Sequence, residues 1–446
     1  MSREGVTIGI DIGTTSVKAV VATEDGRVAA RVRIPHQLRV PAPNRLEHDA
    51  DEAWRRGPLA ALHQLAPGPE VCAVAVSAMV PSLTAVDAGG KVVTPGLLYG
   101  DERGRPSEAA KGQAHALPAL GEAAEFLRWT AAEAPAAAGY WPAPAVANHA
   151  LAGEAVIDFA TAATSYPLFD GTGWNADACA GHGATVEQMP RVEPIGALAG
   201  QVHQSDAALA IGAIDALCEQ MVAGAERDGD VLVMCGTTLI VWTTIAEARQ
   251  VPGLWTIPHT KAPMSQIGGA SNAGGLFLGW VDRVIGPGDP ASVDPRRVPV
   301  WSPYIRGERT PFHDPDRRAV LDGLDLTHDA ASLRRAAYEA SGFVVRQLIE
   351  LNGTPVSRIV ATGGGTRLRP WMQAIADATG RPVQVSAVAE GAALGAAFLA
   401  RMAAGLETTI DDAARWARTE HIVDPDPSWV GAVEDRYQRF LELGRR

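Results

Sequence analysis

Between residues 6 and 35 the apolar positions fall into three short runs, each of strand length. Asp25-Gly26 sits between two of them and predicts a tight hairpin. Residues 51–65 predict a helix, 71–77 a buried strand, and 83–86 a strand ending at Asp87-Ala88-Gly89-Gly90. An apolar stretch from Lys91 leads into Tyr99-Gly100-Asp101-Glu102-Arg103. From about 104 to 150 alanine, proline and glycine dominate, with a helix predicted near 121–134 and a turn-rich connector over 135–144. Residues 166–173 read as a loop. Residues 207–214 predict a buried strand, after which Asp215 opens a helix running to about 225.

The pattern then restarts. Glu226-Arg227-Asp228-Gly229-Asp230 is a polar hinge, which places two domains at 1–226 and 227–446. Beyond it come an apolar strand from Val231, Gly-rich pairs at Gly268-Gly269 and Gly274-Gly275, and a Pro-rich loop over 286–303. Residues 333–351 predict a long helix and 358–362 a strand. A helix starts near Pro370, a good first-turn residue, and closes at Gly380. A strand over 382–386 and a helix over 390–403 follow. Strand–helix alternation in both halves predicts an α/β fold.

One signature occurs in both halves. Ile8-Gly9-Ile10-Asp11-Ile12-Gly13-Thr14-Thr15 is matched by Val231-Leu232-Val233-Met234-Cys235-Gly236-Thr237-Thr238. The Gly-Thr-Thr triplets start at 13 and 236, half of the 446-residue chain apart. Each is an apolar strand, a tight glycine turn and a second apolar strand. Glycine lets the backbone approach a ligand closely, and turn amides with hydroxyls cradle an anion. Paired cradles predict a nucleotide held between duplicated domains.

Composition narrows the class. A net charge of −12, with no lysine or arginine run, argues against nucleic acid or an anionic membrane as partner. Cys72, Cys179, Cys218 and Cys235 form no CxxC pair, and the histidines show no metal spacing. No apolar run approaches ~20 residues and no basic-then-apolar leader opens the chain, which predicts a cytoplasmic protein without a membrane span.

Five clusters could carry chemistry. Asp11 lies beside the first cradle with Gly13, Thr14, Thr15 and Lys18; an acid next to a phosphate site calls for a bridging magnesium ion, although a capped hairpin acid is the alternative. Gly236, Thr237 and Thr238 form the second cradle. Gly363-Gly364-Gly365-Thr366, between a strand and a helix, leaves backbone bare for a flat or charged ligand or serves only as a flexible turn. Asp215 is either a helix N-cap or a carboxylate at a strand end facing ligand, and for phosphoryl transfer it is the best-placed base in the first half. Tyr99, Asp101 and Arg103 suit polyol recognition or a local ion pair, and Met79 alone reads as packing. Neither a Walker loop nor GxSxG is present.

Together these residues resemble the FGGY carbohydrate kinases, and among them the xylulokinase type, from near residue 6 to about 400. Residues 9–18 resemble the family's first phosphate motif, Tyr99-Gly100-Asp101-Glu102-Arg103 its Trp-x-Asp-x-Arg element, and Ile211-Gly212-Ala213-Ile214-Asp215 the segment of the catalytic aspartate. Gly236-Thr237-Thr238 resembles the second phosphate motif. The most specific piece is Pro303-Tyr304-Ile305-Arg306-Gly307-Glu308-Arg309-Thr310-Pro311. Gly363-Gly364-Gly365-Thr366, followed by residues 390–397, is similar to the adenosine motif.

The resemblance implies two duplicated actin-like (ribonuclease-H-like) ATPase domains with a central interdomain cleft. It implies ATP and Mg²⁺ as cofactors and a small sugar or polyol, a ketopentose such as xylulose or a related carbohydrate, as acceptor. Asp215 would be the general base, with Asp11 and Asp215 toward the metal and Met79, Tyr99, Asp101 and Arg103 toward the sugar. Family members are often homodimers, which leaves a homodimer open here. The chain departs from xylulokinases at Val80, where they carry histidine, at Ala216, where they carry asparagine, and at Tyr99, where they carry tryptophan. Those two lost polar contacts motivate an alternative, a nucleotide-binding pseudokinase with a regulatory or scaffolding role. An actin-like filament or chaperone ATPase would leave Asp101-Glu102-Arg103 and Gly307-Glu308-Arg309 unexplained.

Overall fold

In a computed structural model of the chain, residues 5–65, 70–105, 122–261, 263–288 and 293–445 are described. Every residue of the strand Val6–Ile12 is buried, as its unbroken apolar run requires of a central strand covered on both faces. It pairs antiparallel with Ser16–Ala22, which pairs antiparallel with Val28–Pro35. On its other side it pairs parallel with Val71–Ala78, and that strand with Ala208–Ala210; antiparallel Leu198–Gln201 ends the sheet. A second sheet repeats this plan. Asp230–Cys235 pairs antiparallel with Leu239–Ile245, and that with Ser265–Ser271. Across the other edge Asp230–Cys235 runs parallel to Arg358–Thr362, followed by Val383–Ser386 and antiparallel Thr419–Val423. In each sheet, then, an antiparallel three-strand meander adjoins two parallel strands.

Contacts divide the chain into two compact units. One comprises residues 1–222 and 390–416, the other residues 223–389 and 417–446. A single cut at 226 would leave the helix Gly391–Ala403 with the second half; its packing assigns it to the first unit. There it lies on Val6–Ile12 and Val71–Ala78. The approach is backbone to backbone. A Cβ on Gly9 would fall 1.8 Å from the Ala393 carbonyl oxygen, and one on Gly395 would fall 2.0 Å from that of Cys218. Thr7 Oγ1 donates to the Ala397 carbonyl at 2.8 Å in the same seam.

A smaller five-stranded sheet in the first unit runs in the order Arg39–Ala42, Arg45–His48, Gly96–Leu98, Ser82–Val86 and Gly139–Trp141. The single helix expected over 51–65 is a π-helical turn, Asp51–Arg56, followed by the α-helix Gly57–Leu65. Pro58 has no N–H to give to the preceding turn, and the Gly57 amide reaches back five residues to the Glu52 carbonyl. The helix expected over 121–134 is Glu122–Glu133; residue 121 lies outside the described residues, as do 289–292 of the expected Pro-rich loop. The buried strand expected over 207–214 is shorter, Ala208–Ala210, with one further bridge between Ala78 and Ile214. Among the described residues no helix is long and apolar enough to cross a membrane.

The Gly9 seam yields a stability test. Gly9→Ala forces the helix Gly391–Ala403 off its strand and should cost about 1–3 kcal/mol or more, read as a lower urea midpoint. Wild-type stability in that variant would show that the helix adapts without loss.

Candidate active site

Register assembles the first half of the site. Asp11 is paired across the antiparallel ladder with Lys18 and across the parallel one with Ser77. Hence Lys18 Nζ stands 3.5 Å from Asp11 Oδ2, and Ser77 Oγ, which the sequence did not single out, donates to Asp11 Oδ1 at 3.5 Å. Gly13-Thr14-Thr15 is the turn leaving Val6–Ile12, closed by the Gly13 amide on the Ser16 carbonyl at 3.1 Å. Met79 follows the neighbouring parallel strand, its amide donating to the Ile12 carbonyl at 3.3 Å. The Ala78–Ile214 bridge brings Asp215 to the same end of the sheet. Asp11, Met79 and Asp215 thus gather where parallel strands end, the usual place for ligands in such sheets.

Asp215 does not behave as a helix N-cap. An N-cap carboxylate accepts from an amide two or three residues on, whereas Asp215 Oδ1 accepts from the next one, Ala216 N, at 2.7 Å. Its second oxygen has no hydrogen bond recorded. Burial, then the neighbouring Asp11 charge, push its carboxyl up to about 7, against the pull of the Ala216 amide and Lys18. Asp11 is also raised by burial, with Lys18 opposing, and the Asp11 charge in turn raises Lys18.

Tyr99, Asp101 and Arg103 separate into two roles. The Tyr99 hydroxyl shares a 2.8 Å hydrogen bond with Thr14 Oγ1, at the first cradle. Asp101 is fully buried and spends its oxygens on Arg103 Nε and Nη2 and on the Leu46 and Arg103 amides. Arg103 Nη1 is held at 2.7 Å by Glu47, and its guanidinium stacks 4.7 Å over Trp129. Asp101 is therefore placed to orient Arg103. Glu47 and Trp129 escaped the sequence reading because they come from separate segments.

In the second unit two predicted motifs meet. The Gly236 amide closes its turn on the Thr238 carbonyl at 3.1 Å, and the helix Gly275–Ile285 begins there, its Gly275 and Leu276 amides donating at 2.9 Å to the Gly236 and Thr237 carbonyls. Gly363 has φ +89°, and a Cβ on it would lie 2.9 Å from the Cys235 carbonyl oxygen. The triple glycine therefore rests against the strand end that carries the second Gly-Thr-Thr turn. Thr366 Oγ1 folds back onto the Gly363 carbonyl at 2.7 Å. Glu308, 3% exposed, accepts from Ser271 Oγ at 2.6 Å and the Asn272 and Arg309 amides at 2.9 and 2.6 Å. Burial nonetheless pushes its carboxyl up to about 7.

These donor sets fit the cofactors that the sequence implies. Among the described residues no group of three or more His, Cys, Asp or Glu could hold a metal alone. Two carboxylates, Asp11 and Asp215, do stand close enough to raise one another's proton affinity. That is the donor set of magnesium, which takes one or two carboxylates and completes its shell with water and phosphate oxygens. The glycine turns at 13, 236 and 363–365 leave backbone accessible where side chains would otherwise stand.

Residues 6–113 match the N-terminal domain, and residues 231–404 the C-terminal domain, of the FGGY family of carbohydrate kinases. A gluconokinase of Bacillus subtilis is 26% identical over 91% of this chain and 88% of its own length. A xylulose kinase of Streptomyces rubiginosus is 28% identical over 97% of this chain and 94% of its own. The crystal structure of a gluconate kinase from Lactobacillus acidophilus superposes with a TM-score of 0.81 at 19% identity, covering 99% of this chain and 98% of that one. That likeness shows the fold, two actin-like α/β domains.

Glu308 makes stability depend on pH. With its carboxyl raised from 4.5 to about 7, the folded chain holds a proton that the unfolded chain has lost. Its contribution is complete below pH 4.5 and is lost as pH rises through 7, by roughly 3 kcal/mol. Glu308→Gln cannot ionise, so its urea stability relative to wild type should improve between pH 5 and pH 8. Parallel stability profiles would contradict the assignment.

Proposed function

Because the chain belongs to the FGGY family of carbohydrate kinases, whose members use ATP, we propose that it transfers the γ-phosphoryl group of ATP to a hydroxyl of a small sugar or polyol with Asp215 as general base. The observation that carries this reading is the Asp215 carboxyl, raised to about 7 beside Asp11 at the end of the parallel strands. A carboxylate with that proton affinity is a far better acceptor for a hydroxyl proton than an ordinary aspartate, and it is still ionised at neutral pH. Asp215 takes the proton as the hydroxyl oxygen attacks the γ-phosphorus, and the bond to the bridging β-phosphate oxygen breaks to release ADP.

Thr14, Thr15 and Lys18 would receive the transferring group from the first unit. Gly236, Thr237 and Thr238 would hold phosphate from the second, and Gly363 to Thr366 the adenosine. Asp11 and Asp215 would hold magnesium, which when bound neutralises charge on the phosphates. The acceptor we propose is a ketopentose such as xylulose or a related five- or six-carbon sugar acid; the gluconokinase and xylulose kinase relatives support that range. Beside Asp215, Ala216 and Val80 present only carbon, so selectivity would rest on Tyr99 and Arg103.

Two measurements test this. With ATP and magnesium, ADP should be released in the presence of one class among ketopentoses, ketohexoses, polyols and sugar acids. Asp215→Asn should remain folded while kcat drops by roughly 10²–10⁴. Because the base must be ionised, wild-type kcat/KM should fall tenfold per pH unit below about 7 and level off above it. Full activity in Asp215→Asn, or a flat profile from pH 5 to 8, would remove Asp215 from the mechanism.

A further inference from the structure

Thr14 is held from two sides by side chains of one small sheet. Its carbonyl oxygen is 2.7 Å from His48 Nε2, and its hydroxyl 2.8 Å from the Tyr99 hydroxyl. Behind His48, Trp54 Nε1 stands 3.0 Å from His48 Nδ1. An indole N–H can only donate, so His48 Nδ1 accepts and the imidazole proton is on Nε2, where it donates to Thr14. His48 and Trp54 are fully buried. Burial and the neighbouring His36 hold the His48 ring neutral, with its titration down at about 3. His48 lies directly opposite Gly96 in the ladder between Arg45–His48 and Gly96–Leu98, the strand that delivers Tyr99. A Cβ on Gly96 would fall 2.4 Å from the Trp54 ring, so the indole rests on that strand.

We propose that Tyr99, His48 and Trp54 form a clamp that fixes the direction of the Thr14 hydroxyl toward the transferring phosphoryl group, tying the sugar-side strand to the phosphate turn. The clamp rests on the kinase reading above for its purpose. A hydroxyl can donate and accept at once, while phosphate oxygens only accept. With Tyr99 donating to Thr14 Oγ1, the Thr14 proton is left to point at an anionic oxygen, and each bond strengthens the other. His48 meanwhile prevents the Thr14 peptide from rotating. Tyr99 and His48 are positioning residues, and they act through Thr14.

Tyr99→Phe keeps the ring and removes the clamp's hydroxyl. It should lower kcat about tenfold with sugar KM within twofold. His48→Leu should act in the same direction. His48→Gln, which can offer an N–H to the Thr14 carbonyl, should recover most of the loss, an outcome that a merely structural histidine would not produce. Wild-type kcat in Tyr99→Phe, or a raised sugar KM at unchanged kcat, would overturn the clamp while leaving the kinase reading intact. Amide hydrogen exchange over residues 13–16 decides the clamp without turnover: exchange should quicken in His48→Leu and return toward wild type in His48→Gln. Unchanged protection in His48→Leu would overturn it, even if no sugar in the panel were phosphorylated and the kinase reading had failed.

Discussion

The geometry of the first unit depends on one close approach of backbones. The helix Gly391–Ala403 can lie on the strand Val6–Ile12 only because Gly9 has no Cβ, and against the helix Asp215–Ala223 only because Gly395 has none. Asp11 lies two residues beyond Gly9, and Asp215 three residues before Cys218. One helix of small side chains thereby sets the spacing between the two carboxylates. Methyl groups at its contact points would push apart the elements that carry the acid pair. Ala392, Ala393, Ala396 and Ala397, all buried, keep the rest of that face shallow.

The carboxylate pair and the clamp on Thr14 solve opposite problems. Asp11 and Asp215 face each other with Lys18 as the partner that offsets their repulsion, and the result is a raised proton affinity at Asp215. His48 and Trp54 carry no charge at all. A neutral imidazole held by an indole supports the phosphate turn without adding to the field in which the acid pair titrates. Asp101 and Arg103 are charged, but with Glu47 they largely satisfy one another inside the protein.

Much of this was legible along the chain. Both Gly-Thr-Thr turns, the triple glycine and Asp215 are each contained in one short segment, where strand, turn and helix signals are local. The duplicated meanders follow from the same signals read twice. What could not be read is what depends on distant segments. Residues 390–403 read correctly as a small-residue helix, but nothing in them names Gly9 as the surface they cover. Asp101 and Arg103 look like ligand-facing charges beside one another; only the Arg45–His48 strand reveals Glu47 as the third member. The strand expected over 207–214 is cut short at Ala210 because beyond it only Ile214 finds a bridge.

The assignment of residues 390–416 to the first unit also orders events during synthesis. Domains made from continuous segments can fold as they leave the ribosome, at about 5–20 residues per second. The first unit lacks the helix that covers Gly9 until residue 403 has been made. After residue 222 the nascent chain therefore waits on the order of 10–40 s with the central strands of that sheet uncovered on one face. During that interval the exposed alternation of valine, isoleucine and glycine is a target for chaperones and for misassembly between neighbouring chains on a polysome.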